Sequence, residues 1–123
     1  MKIGLDECVI RLGKGERISE NLADHLETVN IAGIHGFTVP PERPTEMHYH
    51  DFDEYWLFTG GETVVTLRLE DGTTREVEVE PGMLIVTPSG VEHGHQPRTE
   101  VQGIEWTSVI RPDARRGHLV RNS

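Results

Sequence analysis

A chain of 123 residues is long enough for one substantial core and too short for two, so a single domain is expected. With 35% hydrophobic and 27% charged residues the composition excludes a disordered chain, and no stretch approaches the roughly 20 apolar residues that a membrane-spanning helix needs. A net charge of −9 would repel nucleic acid and anionic membrane surfaces, so neither is expected as a partner.

The opening segment has one early lysine and no apolar run of signal-peptide length, which predicts a cytoplasmic protein. Cys8 has no second cysteine to pair with, so stability must come from packing, a metal or a second chain. Nothing beside it in sequence would lower its pKa, and it is not read as a catalytic thiol. The first thirty residues form an irregular arm. Ile18, Leu22 and Leu26 stand four apart, which suits one short amphipathic helix, while Cys8 to Leu12 reads equally well as a strand.

From Ile31 the apolar period changes to two. Ile31 to Val39 predicts a strand, and the proline-rich Pro40 to Pro44 an extended loop. Tyr55 to Phe58 is rich in aromatic strand formers and stops at Gly60-Gly61. Thr63 to Leu69 and Thr74 to Val79 alternate on either side of Asp71-Gly72, a strong hairpin signal. Pro81-Gly82 turns the chain, Met83 to Thr87 is apolar enough for a buried strand, Pro88-Ser89-Gly90 turns it again, and Val101 to Ile110 supplies a last long strand. Short strands with turns every eight to twelve residues and almost no helix predict an all-β antiparallel sandwich or barrel. The barrel core is expected over 31–111, between the arm at 1–30 and a tail at 112–123. In that tail Arg115, Arg116 and Arg121, with Arg111 just before it, read as a solvated basic cluster.

The segment His48-Tyr49-His50-Asp51-Phe52-Asp53-Glu54 carries the chemistry. Residues two apart on a strand face the same side, so His48 and His50 present their imidazoles together. Glu54 keeps that parity four residues on, whereas Asp51 and Asp53 have the wrong parity and are expected exposed in the bend. Two imidazoles and a carboxylate make a three-point site for a first-row divalent ion with positions left open. His93 follows the Pro88/Gly90 turn, where a side chain can be aimed inward as a fourth ligand.

These residues resemble the cupin superfamily. His48, His50, Glu54 and Gly61 match its first motif, and Gly82, Pro88, Gly90 and His93 its second. Glu42 stands where the first motif opens on glycine, and Pro97 where the second closes on asparagine. The resemblance implies a double-stranded β-helix (jelly-roll) barrel, one divalent transition metal on His48, His50, Glu54 and His93, and commonly a homodimer. Iron, manganese, nickel, copper, cobalt and zinc all suit such ligands, and the sequence does not choose among them.

Parity extends the expected site. Trp56 and Phe58 face inward with Glu54, as an apolar wall that serves as barrel core before it serves as a substrate contact. His95 shares the parity of His93 and is read as a rim residue or support for the ligands. His35 and Phe37 can enter from the earlier strand, and either Glu105 or Trp106 looks inward. His25 and His118 are read as surface groups. His35, His95 and Glu105 are the acid-base candidates. The expected function is metal-dependent chemistry on a small organic molecule, with a dioxygenase favoured by the aromatic wall. The alternatives are a Lewis-acid isomerase, epimerase or lyase on a sugar or organic acid, and a non-catalytic ligand-binding barrel.

Overall fold

The computed structural model describes residues 4–11, 31–108 and 111–121. A single 3-10 turn, Leu5–Cys8, leads into nine strands: β1 Val9–Arg11, β2 Ile31–Val39, β3 Thr45–His48, β4 Glu54–Gly60, β5 Thr63–Arg68, β6 Thr74–Val79, β7 Met83–Thr87, β8 Glu92–Pro97 and β9 Val101–Ser108. They form two antiparallel sheets, one ordered β1-β7-β4-β9-β2 and the other β3-β8-β5-β6. From β2 to β4 and from β6 to β9 the chain changes sheet at every step, so the sheets face each other as the two halves of a jelly-roll barrel. The fold is all-β, as the strand and turn spacing predicts.

Alternation decides which side chains enter the barrel. Thr63, Val65 and Leu67 of β5 are buried while the residues between them are half-buried, and Val77 and Val79 of β6 match them from across the hairpin. Phe58, Met83, Ile85 and Val101 meet them from the other sheet, and Leu5 and Cys8 join the same cluster. Each such side chain contributes roughly 1.5–3 kcal/mol by leaving water. Strand β7 is buried along its whole length because its two faces have different partners. Met83 and Ile85 point inward, whereas Leu84 and Val86 pack with Tyr55, Leu57 and Trp106 on the outer side of their sheet. Among the described residues no helix is long and apolar enough to cross a membrane.

Turn chemistry sets the register. In the β5–β6 hairpin, Gly72 takes φ 93°, Asp71 Oδ1 accepts from Thr73 N at 2.9 Å, and Thr63 to Arg68 then pair in step with Val79 to Thr74. Gly61 takes φ 81°, and a Cβ there would collide with the Glu100 carbonyl, so no other residue fits.

Four expectations are corrected or limited. The strand reading near the N-terminus holds for Val9–Arg11, which pairs with β7, while the helix expected around Ile18, Leu22 and Leu26 lies outside the described residues. Asp53 is fully buried rather than exposed, because its carboxylate accepts from Ser89 N at 2.9 Å and its backbone exchanges bonds with Ser108. Asp51, also expected to be exposed, is held by Arg115, whose backbone N and guanidinium reach it at 2.8–3.2 Å. The tail is therefore no loose cluster of solvated arginines. It lies back on the barrel, with Leu119 bridging to Tyr49 and Arg121 seated over the Tyr49 ring at 4.2 Å.

Candidate metal centre

His48 ends β3, His50 lies two residues beyond it, Glu54 opens β4, and His93 sits on β8 directly opposite His48. All four are buried. Ring centroids of His48 lie 4.9 Å from His50 and 4.3 Å from His93, and those of His50 and His93 are 5.3 Å apart. Glu54 Oε1 stands 3.2 Å from His93 Nε2 and 3.6 Å from His50 Nε2. The bend that returns Glu54 to the face of the histidines is fixed by Asp53. Its bond to Ser89, with Gly90 N donating to the His50 carbonyl at 2.9 Å, ties this bend to the turn that precedes His93. Both sequence motifs are thus clamped together by backbone hydrogen bonds.

The imidazoles have defined tautomers. Nδ1 of His48 lies 2.8 Å from the Glu46 carbonyl, that of His50 2.9 Å from the Gly117 carbonyl, and that of His93 3.3 Å from the Val91 carbonyl. A carbonyl oxygen can only accept, so each Nδ1 carries the proton and each Nε2 keeps its lone pair. This is the outer support that metal-bound histidines characteristically have. His93 Nε2 is buried and, although close to Glu54, is not aligned for a hydrogen bond with it. Burial, with the His93 imidazole adding to it, lowers His48 to about 4, and burial does the same to His93. His50 is also lowered by burial, against the opposing pull of Glu54. The rings are therefore neutral near pH 7 and ready to bind a cation. Imidazole nitrogens of His50 and His93 facing one carboxylate, and a buried His93 Nε2 with no hydrogen-bond partner among the described residues, fit a divalent transition metal.

Around the four, Trp56 Nε1 donates to Glu54 Oε1 at 2.7 Å, leaving that oxygen shared between the indole and the imidazoles. Burial raises the Glu54 carboxyl. Of the pair on β9, Glu105 faces inward beside Trp56 and Trp106 faces outward, stacked on Tyr55 at 5.3 Å. Burial first, and then the neighbouring Glu54 charge, raise Glu105 to about 7, and the two carboxyls share a hydrogen bond. His35, opposite Glu105 on β2, is 63% exposed and brings Nε2 to 3.3 Å from it. His95 is buried below the ligands. Its Nδ1 meets Thr63 Oγ1 at 3.1 Å, its Nε2 has no hydrogen-bond partner, and burial lowers it to about 4.

Trp56 and Phe58 line the barrel floor with Val65, Ile85 and His95, but the space there is only about 10 Å³, near the minimum for one water. Phe37 fills the gap, edge-on to both aromatic rings at 5.7 Å. The wall is packed core, and access to the ligands comes from the mouth where His35 and Glu105 stand. A more open cleft of about 460 Å³, between the β5–β6 turn and Arg121, is lined by none of these site residues.

The surface reading of His118 misses a contact. His118 is exposed, yet its ring stacks on His48 with centroids 4.1 Å apart and an interplanar angle of 17°. Nothing in the tail's composition shows this, since the contact joins positions 48 and 118.

A face-to-face pair of antiparallel sheets with three imidazoles and a carboxylate gathered together defines a barrel of the jelly-roll class with a candidate metal centre. The family described as "Cupin domain" matches residues 36–110, and the chain belongs to it. No curated protein matches the sequence. Among solved structures, the chain is similar to the ribosomal oxygenase YcfD of Escherichia coli, with 14% identity and a TM-score of 0.61 over 68% of this chain and 24% of that one. It is also similar to salicylate 1,2-dioxygenase of Pseudoaminobacter salicylatoxidans (17%, 0.53, 61% and 20%). A third is the WlaRB TDP-quinovose 3,4-ketoisomerase of Campylobacter jejuni (9%, 0.58, 68% and 66%). The alignments thus span about a quarter or less of the two oxygenases and two thirds of the ketoisomerase, and at these identities the likeness is one of fold.

Proposed function

We propose that this protein is a metal-dependent cupin enzyme. His48, His50, Glu54 and His93 hold one divalent transition metal, and a small organic molecule is turned over at the barrel mouth by proton transfer, as in an isomerase, epimerase or lyase. The observation that carries the reading is the set of three buried histidines whose Nδ1 atoms are each engaged by a backbone carbonyl, with Nε2 of His50 and of His93 beside Glu54 and the His48 ring packed against both imidazoles. Bound there, the metal supplies a Lewis acid that polarises a substrate oxygen, or, if redox-active, a site for oxygen chemistry.

The surrounding residues favour proton transfer. Glu105 and His35 form an acid-base pair at 3.3 Å on the open side of the ligands, where one can take a proton and the other return it. Glu54, held by Trp56, keeps Glu105 from losing its proton as readily as an ordinary carboxyl. His95, bonded to Thr63 and packed against Trp56, stays neutral. Trp56 and Phe58 keep water out of the floor.

The second reading is a dioxygenase, favoured by the same donor set beside a dry aromatic floor. It loses ground because that floor is filled by Phe37 and offers no apolar cavity for substrate. Two screens of protein with its metal determined by elemental analysis separate the readings: solvent deuterium exchange into hydroxy and keto acids and sugars, and oxygen uptake with diketones, thiols and phenols. Exchange lost in Glu105→Gln and in His48→Ala supports proton transfer. Oxygen uptake lost in His48→Ala but kept in Glu105→Gln would replace it with the oxygenase. Tight binding of an organic ligand by metal-free protein, with neither reaction, would leave a binding barrel.

A further inference from the structure

The tail from Arg111 to Arg121 is fastened like a strap beside the candidate centre, against His48 and His50. Asp51 receives the Arg115 backbone N and guanidinium, Tyr49 and Leu119 exchange backbone hydrogen bonds at 2.8 and 2.9 Å, and Arg121 Nη2 donates to the Gly90 carbonyl at 2.7 Å. These three fastenings lie on both sides of Gly117, which takes φ 85°. The turn points the Gly117 carbonyl at His50 Nδ1 and lays the next side chain, His118, flat over His48. Nothing in the strap's own packing calls for an exposed histidine there.

The ligand atoms of His48, His50 and His118 lie within 4.8 Å of one another, and so do those of His50, Glu54 and His93. The two sets share His50. They cannot serve two ions, because the Nδ1 atoms of His50 and His48 are engaged by the Gly117 and Glu46 carbonyls, leaving one lone pair on each ring. The two sets therefore either compete for His50 or merge into one centre, and merging requires the His118 ring to turn out of its stack on His48, because an imidazole binds a metal in its own plane.

We propose that His118 is a fifth protein ligand of this centre, delivered by the C-terminal strap onto a coordination position that the four barrel residues leave open. It is the one exposed member of the set and the one carried by the C-terminal tail, so it is the ligand that an incoming chelating substrate displaces. The strap thus acts on the centre twice, through the Gly117 carbonyl that orients His50 and through His118 itself. The inference rests on the metal reading above and deepens it.

The test is made on the full chain, stripped of metal and loaded with one equivalent of Cu²⁺, by counting coordinated imidazoles by pulsed electron paramagnetic resonance and titrating affinity by competition with a chelator. The parent protein is expected to show four imidazoles. His118→Ala is expected to show three, with Kd for Cu²⁺ weakened by about tenfold or more. Arg115→Ala, which keeps His118 but frees one fastening of the strap, is expected to weaken Kd by a smaller factor. Three imidazoles in the parent and an unchanged count and Kd in His118→Ala would overturn the proposal while leaving the four-residue centre intact. A parent protein that binds no Cu²⁺ would overturn the metal reading and this inference with it.

Discussion

Replacing Glu54 by glutamine changes almost no volume and separates two opposing effects of the carboxylate. In metal-free protein Glu54 is a buried acid beside a second one, and Glu105 is raised to about 7 by burial and then by the Glu54 charge. The whole elevation would correspond to at most ~3 kcal/mol against ionised Glu105, and only the Glu54 share of it, screened at the open mouth, is relieved by Gln, about 1 kcal/mol. The glutamine carbonyl can still accept from Trp56 and its amide can donate to Glu105. For 123 residues an unfolding entropy of ~2.1 cal/mol/K per residue turns that relief into a rise of about 4 °C in the Tm of metal-free protein at pH 7–8. With metal the order reverses. At a free metal concentration of 1,000 Kd the parent gains about 4.1 kcal/mol, roughly 16 °C. A hundredfold weaker Glu54→Gln gains about 1.4 kcal/mol at the same concentration, roughly 5 °C. Differential scanning calorimetry of both proteins, with and without Zn²⁺, measures all four values. A variant whose metal-free Tm falls by several degrees, or whose metal-induced shift equals that of the parent, would refute the reasoning.

Acid should destabilise the metal-free protein. His48, His93 and His95 are held at about 4 in the fold against about 6.5 in an unfolded chain, so between those values the unfolded state binds more protons and stability falls as pH is lowered. Glu105, raised to about 7, and Glu54, also raised by burial, oppose this, but with His50 lowered too, four imidazoles outweigh two carboxyls, and urea midpoints at pH 7, 5.5 and 4.5 should decrease in that order. Gly61→Ala should cost clearly more stability than Gly72→Ala. Both have positive φ, but only at Gly61 would the added methyl strike backbone, whereas Gly72 has nothing within 4 Å and should lose roughly 1 kcal/mol in the same urea titrations. Trp56→Phe keeps most of the packing and removes the donor to Glu54 Oε1, so metal affinity should fall about 10- to 100-fold with little change in metal-free Tm, read by chelator competition.

Much of the barrel is legible in the sequence because it is built from local rules. The Asp71-Gly72 turn, the alternation of Thr63 to Leu67 and the apolar run Met83 to Thr87 each act within a few residues, and the structure places β5, β6 and β7 there. Strand parity likewise brings His48, His50 and Glu54 to one face and requires one of Glu105 and Trp106 to look inward, and the structure shows that it is Glu105. What parity cannot supply is the company a residue keeps across long separations. Asp53 has the wrong parity for the metal and looks solvated, yet it is buried because a backbone N–H 36 positions away needs its oxygen. Phe37 enters from the earlier strand, as parity allows, but only the structure shows it packed edge-on against both Trp56 and Phe58. His118 comes to His48 only because Arg115, Leu119 and Arg121 find partners on the barrel, and no periodicity in a tail of arginines encodes that.

The central claim is that His48, His50, Glu54 and His93 form one metal centre, and calorimetric titration of metal-free full chain with Zn²⁺ tests it most directly when run beside two histidine variants. The parent and His35→Ala, whose imidazole pairs with Glu105 outside the ligand set, should each take up about one equivalent tightly and release protons little at pH 7, since the ligating rings are already neutral. His50→Ala should lose that equivalent. Absence of tight binding in the parent, or one equivalent bound equally well by His50→Ala, would contradict the account.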